Sequence, residues 1–257
     1  MITQEENRLV MQTGKGTPCG ELMRRHWQPA ALSEELTADK PLAVQLFGEE
    51  LILFRDGAGK PALIGRYCAH QGVDMIYGRV EEDGLRCMYH GWLFDNCGKV
   101  VLRGDWLPEK ERRWDVGQAA YPCGENGGVI FTYMAAGDPP PSEREWLAMP
   151  LSHGALTKVV REENYLHRIL DAQEQTFNRA RYVLPNLVIA QSAIVGENWA
   201  RWHVPVDDNS HVEFALQLNG AAPSLGEPLD AWRQALQKAI ETIQSERQSA
   251  PETGAKD

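Results

Sequence analysis

The chain has 257 residues, 43% apolar and 24% charged, and its 26 basic against 36 acidic side chains leave a formal net charge of −10. That length suits one large domain or two small ones with a proper core. The acid excess argues against a nucleic-acid partner, which needs clustered Lys and Arg against phosphate, and no apolar run approaches the roughly 20 residues of a membrane span. The acidic opening, Met1-Ile2-Thr3-Gln4-Glu5-Glu6, lacks the apolar stretch of a secretory signal, so a cytoplasmic protein is expected. Five cysteines, at 19, 68, 87, 97 and 123, are an odd number scattered along the chain, which turns attention from disulfides to metal binding.

Thr17-Pro18 opens a short helical stretch over Cys19 to Trp27, and an irregular acidic connection follows. From Leu42 the apolar period becomes two. Ala43 to Phe47, Glu50 to Phe54 and Pro61 to Arg66 read as strands, with turns at Gly48-Glu49 and Asp56-Gly57-Ala58-Gly59. Leu85 to Met88, Trp92 to Asp95, Lys99 to Leu102 and Gly127 to Tyr133 continue the pattern, with Asn96-Cys97-Gly98 as a further turn. Asp138-Pro139-Pro140-Pro141 is a stiff break. It suggests an N-terminal segment over 1–40, an antiparallel β domain over 41–137 and a second region over 138–257. In that region Glu162 to Arg179 reads as a helix. Leu187 to Val195, Asn198 to Val206 and His211 to Leu218 read as strands, the last two joined by the turn Asp207-Asp208-Asn209-Ser210. Leu229, Trp232, Leu236, Ile240 and Ile243 repeat at helical spacing, and beyond Gln244 the polar composition predicts a fraying tail. The expected class is α+β.

The chemistry lies in Cys68-Ala69-His70 and, after sixteen intervening residues, Cys87-Met88-Tyr89-His90. Each stretch offers one thiolate and one imidazole. A single tetrahedral zinc can use such a set. A 2Fe-2S cluster with two cysteines on one iron and two histidines on the other fits the equal division better. Accidental spacing of four core residues is the bland alternative.

The flanking residues resemble one family. Cys68-Ala69-His70-Gln71-Gly72, Gly78-Arg79-Val80, and Cys87-Met88-Tyr89-His90-Gly91-Trp92-Leu93-Phe94-Asp95 with Gly98 resemble the Rieske domain of ring-hydroxylating oxygenases. Met88 stands where the family usually has Pro, and Gln71 where Arg is common. The segment Thr13-Gly14-Lys15-Gly16-Thr17-Pro18, with Gly20-Glu21-Leu22-Met23-Arg24-Arg25-His26-Trp27-Gln28-Pro29, resembles the opening of α subunits of the phthalate dioxygenase and O-demethylase branch. Tyr182-Val183-Leu184-Pro185-Asn186 and Val204-Pro205-Val206-Asp207-Asp208 resemble strands of their catalytic domain. The resemblance implies a 2Fe-2S cluster held by Cys68, His70, Cys87 and His90, with His90 and less so His70 as the electron exit. It also implies a Rieske antiparallel β domain followed by a truncated, helix-grip-like second region.

Relatives hold a mononuclear iron with two histidines and a carboxylate. Their ligand segment typically reads Asn-Tyr/Trp-x-Gln, then Glu-Gly, then Asp-x-x-His-x-x-x-x-His. Asn164-Tyr165-Leu166-His167 matches the start, but the ungapped count places Leu170, Glu174, Phe177 and Tyr182 at the later positions. The only later histidines are His203 and His211. The final helix lacks the family's carboxylate ligand. The resemblance thus implies an electron-transfer subunit without its own mononuclear iron. Its partners would be a catalytic oxygenase subunit, in a trimeric or hexameric hetero-oligomer, and an NAD(P)H-dependent reductase or ferredoxin. Two alternatives stay open: a complete oxygenase with unconventional ligands such as His167, Asp171 and Glu174, and a stand-alone electron carrier. His203, Asp207, Asp208 and His211 read as a polar strand end and turn rather than a metal site. Cys19, Cys97 and Cys123 read as buried or semi-buried, and Trp199 and Trp202 as core or interface anchors.

Overall fold

A computed structural model describes residues 4–102, 116–141, 153–175, 180–183, 185–191, 198–218 and 228–249. Helices α1 (Gln4–Met11) and α2 (Pro18–Arg24) lead into strand β1 (Gln28–Leu32). Thr17 caps α2, its Oγ1 accepting the Gly20 N–H at 3.2 Å, and Pro18 starts the helix where no N–H is needed. The helix ends three residues before Trp27, because the chain must turn there to bring Gln28 into the sheet.

Strands β2 (Leu42–Leu46), β3 (Glu49–Arg55) and β4 (Pro61–Gly65) form an antiparallel meander that β9 (Ala120–Tyr121) extends. A smaller antiparallel sheet follows, made of β5 (Arg79–Glu81), β6 (Gly84–Arg86), β7 (Leu93–Phe94) and β8 (Val100–Leu102). Strands β10 (Cys123–Asn126) and β11 (Val129–Thr132) then pair with β1 in the order β1-β11-β10. The run Leu51-Ile52-Leu53-Phe54 in β3 is buried on both faces. Leu51 and Leu53 enter the larger core, whereas Ile52 and Phe54 enter a second core with Ile64, Met75, Leu85, Trp92 and Phe94. One strand thereby forms a wall common to both cores.

The β2–β3 turn falls one residue earlier than the sequence suggested. Leu46 pairs with Glu49, leaving Phe47 and Gly48 as a two-residue loop with φ of +52° and +77°. A positive φ is uncommon for a bulky residue. Tertiary contacts hold Phe47 there: its N–H donates to Pro205 O at 2.9 Å, and the Arg24 guanidinium lies 5.1 Å from its buried ring.

In the second region β12 (His153–Arg161), β13 (Arg181–Val183), β14 (Leu187–Gln191), β15 (Asn198–Pro205) and β16 (His211–Leu218) form one antiparallel sheet in the order β12-β16-β15-β14-β13. The sequence reading placed no strand at β12. This strand lies at the sheet edge, with Val159 and Val160 exposed, and so lacks the alternation that marks a half-buried strand. Helix α3 (Tyr165–Gln175) begins after Asn164, whose Oδ1 accepts the Leu166 N–H at 3.0 Å; Glu162 and Glu163 therefore stay outside it. The expected helix end at 176–179 and strand end at 192–195 lie outside the described residues. Helix α4 (Leu229–Ser249) buries Trp232, Leu236, Ile240 and Ile243. It runs past Gln244, correcting the expected fraying, and Arg25 meets its last turn at Glu246 over 2.6 Å.

Candidate metal centre

Two loops built to one plan carry the four expected ligands. In the first, the Cys68 N–H donates to Val73 O and the Gly72 N–H to Cys68 O, both at 2.8 Å. In the second, the Cys87 N–H donates to Trp92 O at 2.8 Å and the Gly91 N–H to Cys87 O at 3.1 Å. Each ring is closed by a glycine four residues after the cysteine, with φ of +69° at Gly72 and +68° at Gly91. A side chain there would force a left-handed backbone costing about 1–2 kcal/mol.

The loops face each other with like ligands together. Nδ1 of His70 lies 3.0 Å from Nδ1 of His90, and the two rings meet edge to face. The buried thiols of Cys68 and Cys87 hydrogen-bond one another. That bond draws the Cys87 thiol down to about 6, while the Cys68 thiol rises. The N–H groups of His70 and Gln71 address the Cys68 sulfur, and those of Tyr89 and His90 the Cys87 sulfur. Thiol stands with thiol and imidazole with imidazole, a pairing that suits a cluster of two irons, one held by thiolates and one by imidazoles.

Second-layer contacts fix the loops. The ring of Trp92, wholly buried, stacks on His70 with centroids 4.4 Å apart and planes 8° off parallel. Arg66 holds Asp74 at 2.8 Å beyond the first loop, and Arg86 donates to Gly91 O at 2.6 Å in the second. Arg86 also pairs with Glu81, whose carboxyl it pulls down to about 2. Gln118 reaches the first loop from 49 positions beyond Ala69. Sequence reasoning missed Gln118, since nothing in its own neighbourhood marks it.

The other singled-out residues do not assemble a second centre. His167 and Asp171 are exposed on α3, the side chain of Glu174 lies outside the described residues, and Arg168 pairs with Glu163 at 2.5 Å. Leu170 packs against the larger core, and Tyr182 is buried with its ring 5.8 Å from Trp232; Phe177 lies outside the described residues. Asp207 caps its own turn by accepting the N–H groups of Asn209 and Ser210, and Asp208 accepts the Thr13 N–H at 2.9 Å. His203 and His211 instead point inward, 3.3 Å apart. Cys19 is fully buried, its thiol raised to about 12 by burial, and Cys123 is half-buried; Cys97, expected to be at least semi-buried, is exposed at the tip of its turn. Trp202 is a core anchor, whereas Trp199 is half-buried under the Arg201 guanidinium.

Comparison with known proteins agrees with this geometry. Residues 26–108 match the Rieske 2Fe-2S domain. The chain is 50% identical to the phenoxybenzoate dioxygenase α subunit of Ectopseudomonas oleovorans over 121 residues, 47% of this chain and 29% of that protein. It is 41% identical to the phthalate 4,5-dioxygenase oxygenase subunit of Pseudomonas putida over 140 residues, 54% of this chain and 32% of that one. These matches span about a third of the curated relatives' length. Among solved structures, the oxygenase–ferredoxin complex of carbazole 1,9a-dioxygenase in its reduced form superposes with a TM-score of 0.64 at 16% identity, covering 95% of this chain and 82% of the other. That likeness establishes the fold. The chain carries a Rieske domain with a 2Fe-2S cofactor and is homologous to Rieske oxygenase α subunits. The proteins it resembles over this stretch include phthalate and phenoxybenzoate dioxygenase subunits and an O-demethylase oxygenase subunit.

Proposed function

We propose that this chain is the electron-transfer subunit of a heteromeric Rieske oxygenase, taking electrons from a reductase or ferredoxin and passing them to the mononuclear iron of a separate catalytic subunit. The carrying observation is the contrast between two regions. The set Cys68, His70, Cys87 and His90 is paired, thiol with thiol and imidazole with imidazole, whereas the ungapped count puts Phe177 and the core residue Tyr182 at the two histidine positions of the relatives' second iron site. When bound, a cluster with two imidazole ligands supplies a one-electron carrier at about −150 to +300 mV.

The residues around the ligands support an exit at His90. His70 is sandwiched between Trp92 and His90, and its Nε2 is shielded from solvent. His90 lies under the ring of Tyr89, at 3.9 Å between centroids. Beside it in the chain, Met88 and Tyr89 are 64% and 62% exposed, large side chains of the kind that partners cover. Met88 and Tyr89 belong to the ligand loop itself, so a protein docked there would exclude water from the histidine edge.

Purified chain is expected to bind two irons and two sulfides, to give the electron paramagnetic resonance signal of a reduced Rieske centre, and to oxygenate substrate only with an iron-bearing partner. A third stoichiometric iron, with turnover by the isolated chain, would overturn the assignment.

A further inference from the structure

The Cys68 loop is held by one side chain from far along the sequence. Gln118 is mostly buried, and its backbone is anchored by an N–H bond to Gly98 O at 2.7 Å. Its Oε1 accepts the Ala69 N–H at 2.8 Å, while Nε2 donates to Gly65 O at 2.6 Å and to Tyr67 O at 2.8 Å. Both amide hydrogens and the amide oxygen are thereby used. Glu lacks the two donors, and Asn is one methylene shorter. The main chain cannot do this work: the Gly65 N–H to Ala119 O bond ends the β4–β9 ladder, and the loop then leaves the sheet.

We propose that Gln118 is a positioning residue that sets the reduction potential of the cluster. By taking the Ala69 N–H, it fixes the peptide between the two ligands Cys68 and His70. The following N–H groups, of His70 and Gln71, are thereby kept aimed at the Cys68 sulfur. Hydrogen bonds to a thiolate favour the more negative, reduced cluster. Slackening the loop weakens them and lowers the potential. The second loop is held from closer by: Arg86, in the adjoining strand, donates to Gly91 O.

Gly65 provides an independent handle. A Cβ at this position would lie 2.8 Å from Gln118 Nε2 and displace the amide while leaving it in the chain. The test compares Gln118→Met, Gly65→Ala and the parent, each as the full chain with its cluster. The readouts are the midpoint potential, the resonance g-values of the reduced form, and the rate of iron release to a ferrous chelator. Both variants are expected to show a lower potential, shifted g-values and at least tenfold faster release. Parent potential and g-values in both would overturn the proposal, as would faster release with the potential unchanged, since that marks a purely structural part. If Gln118→Met fails to assemble the cluster, Gly65→Ala decides: a lowered potential supports the role and an unaltered one refutes it.

Discussion

Trp92 ties both cluster loops together without being a ligand. Its carbonyl accepts the Cys87 N–H, its ring lies flat on His70, and its whole side chain sits in the second core. Replacing it by Ala removes a core aromatic and the surface on which His70 rests. Loss of about 3–5 kcal/mol in denaturant unfolding is expected, together with faster bleaching of the cluster. Cys87→Ser acts more directly, since a hydroxyl does not ionise at neutral pH as a thiol held near 6 does. Iron per chain should fall to near zero in elemental analysis. The two Cys-His loops were legible in the sequence because each closes within six residues. The Trp92 stack and the Gln118 clamp were not, because they join residues that only the pairing of separate strands brings together.

Strands β15 and β16 carry a buried pair, His203 and His211, with His211 Nδ1 2.8 Å from Glu163 O. Burial first, then His211 and Arg201, hold His203 well below 6.5; burial also lowers His211. Arg161, Arg168 and Arg201 add positive charge around the pair, against the carboxylates of Glu163 and Glu213. As pH falls through about 6.5 the unfolded chain takes up these protons and the folded chain does not, so stability is full above that value and declines below it. The carboxyl of Glu81, held near 2 by Arg86, loses its stabilising effect only below its ordinary value of 4.5, which separates the two windows. A thermal melt should drop by several degrees between about pH 7.5 and 5.5, and His203→Phe should flatten that slope. An unchanged slope in the variant would exclude the pair as its source. Periodicity found these two strands within a residue of their ends. It missed the inward turn of the histidines, since a one-residue change of register exchanges the faces of a strand.

The cluster-bearing sheets and the second region pack as one body. Phe131 in β11 meets Trp202 in β15 at 5.8 Å, and Asn186 bridges to Gln28 at 2.8 Å. The pair of buried Arg24 with half-buried Glu49, at 2.9 Å, secures the N-terminal segment to β3. Trp202→Ala is expected to cost about 3–5 kcal/mol and to lower the unfolding midpoint read both by cluster absorbance and by far-ultraviolet dichroism. A shift in dichroism with no shift in absorbance would show that the two parts unfold separately. The two Cys-His loops with their glycines and the apolar face of α4 were readable in the sequence, because spacing over a few residues specifies them. The division of β3 between two cores, the left-handed Phe47 and the grip of Gln118 on Ala69 depend on partners up to 158 positions away, counted from Phe47 to Pro205. Short-range pattern records what a segment can form; which distant backbone groups it satisfies is decided only when the sheets close on one another.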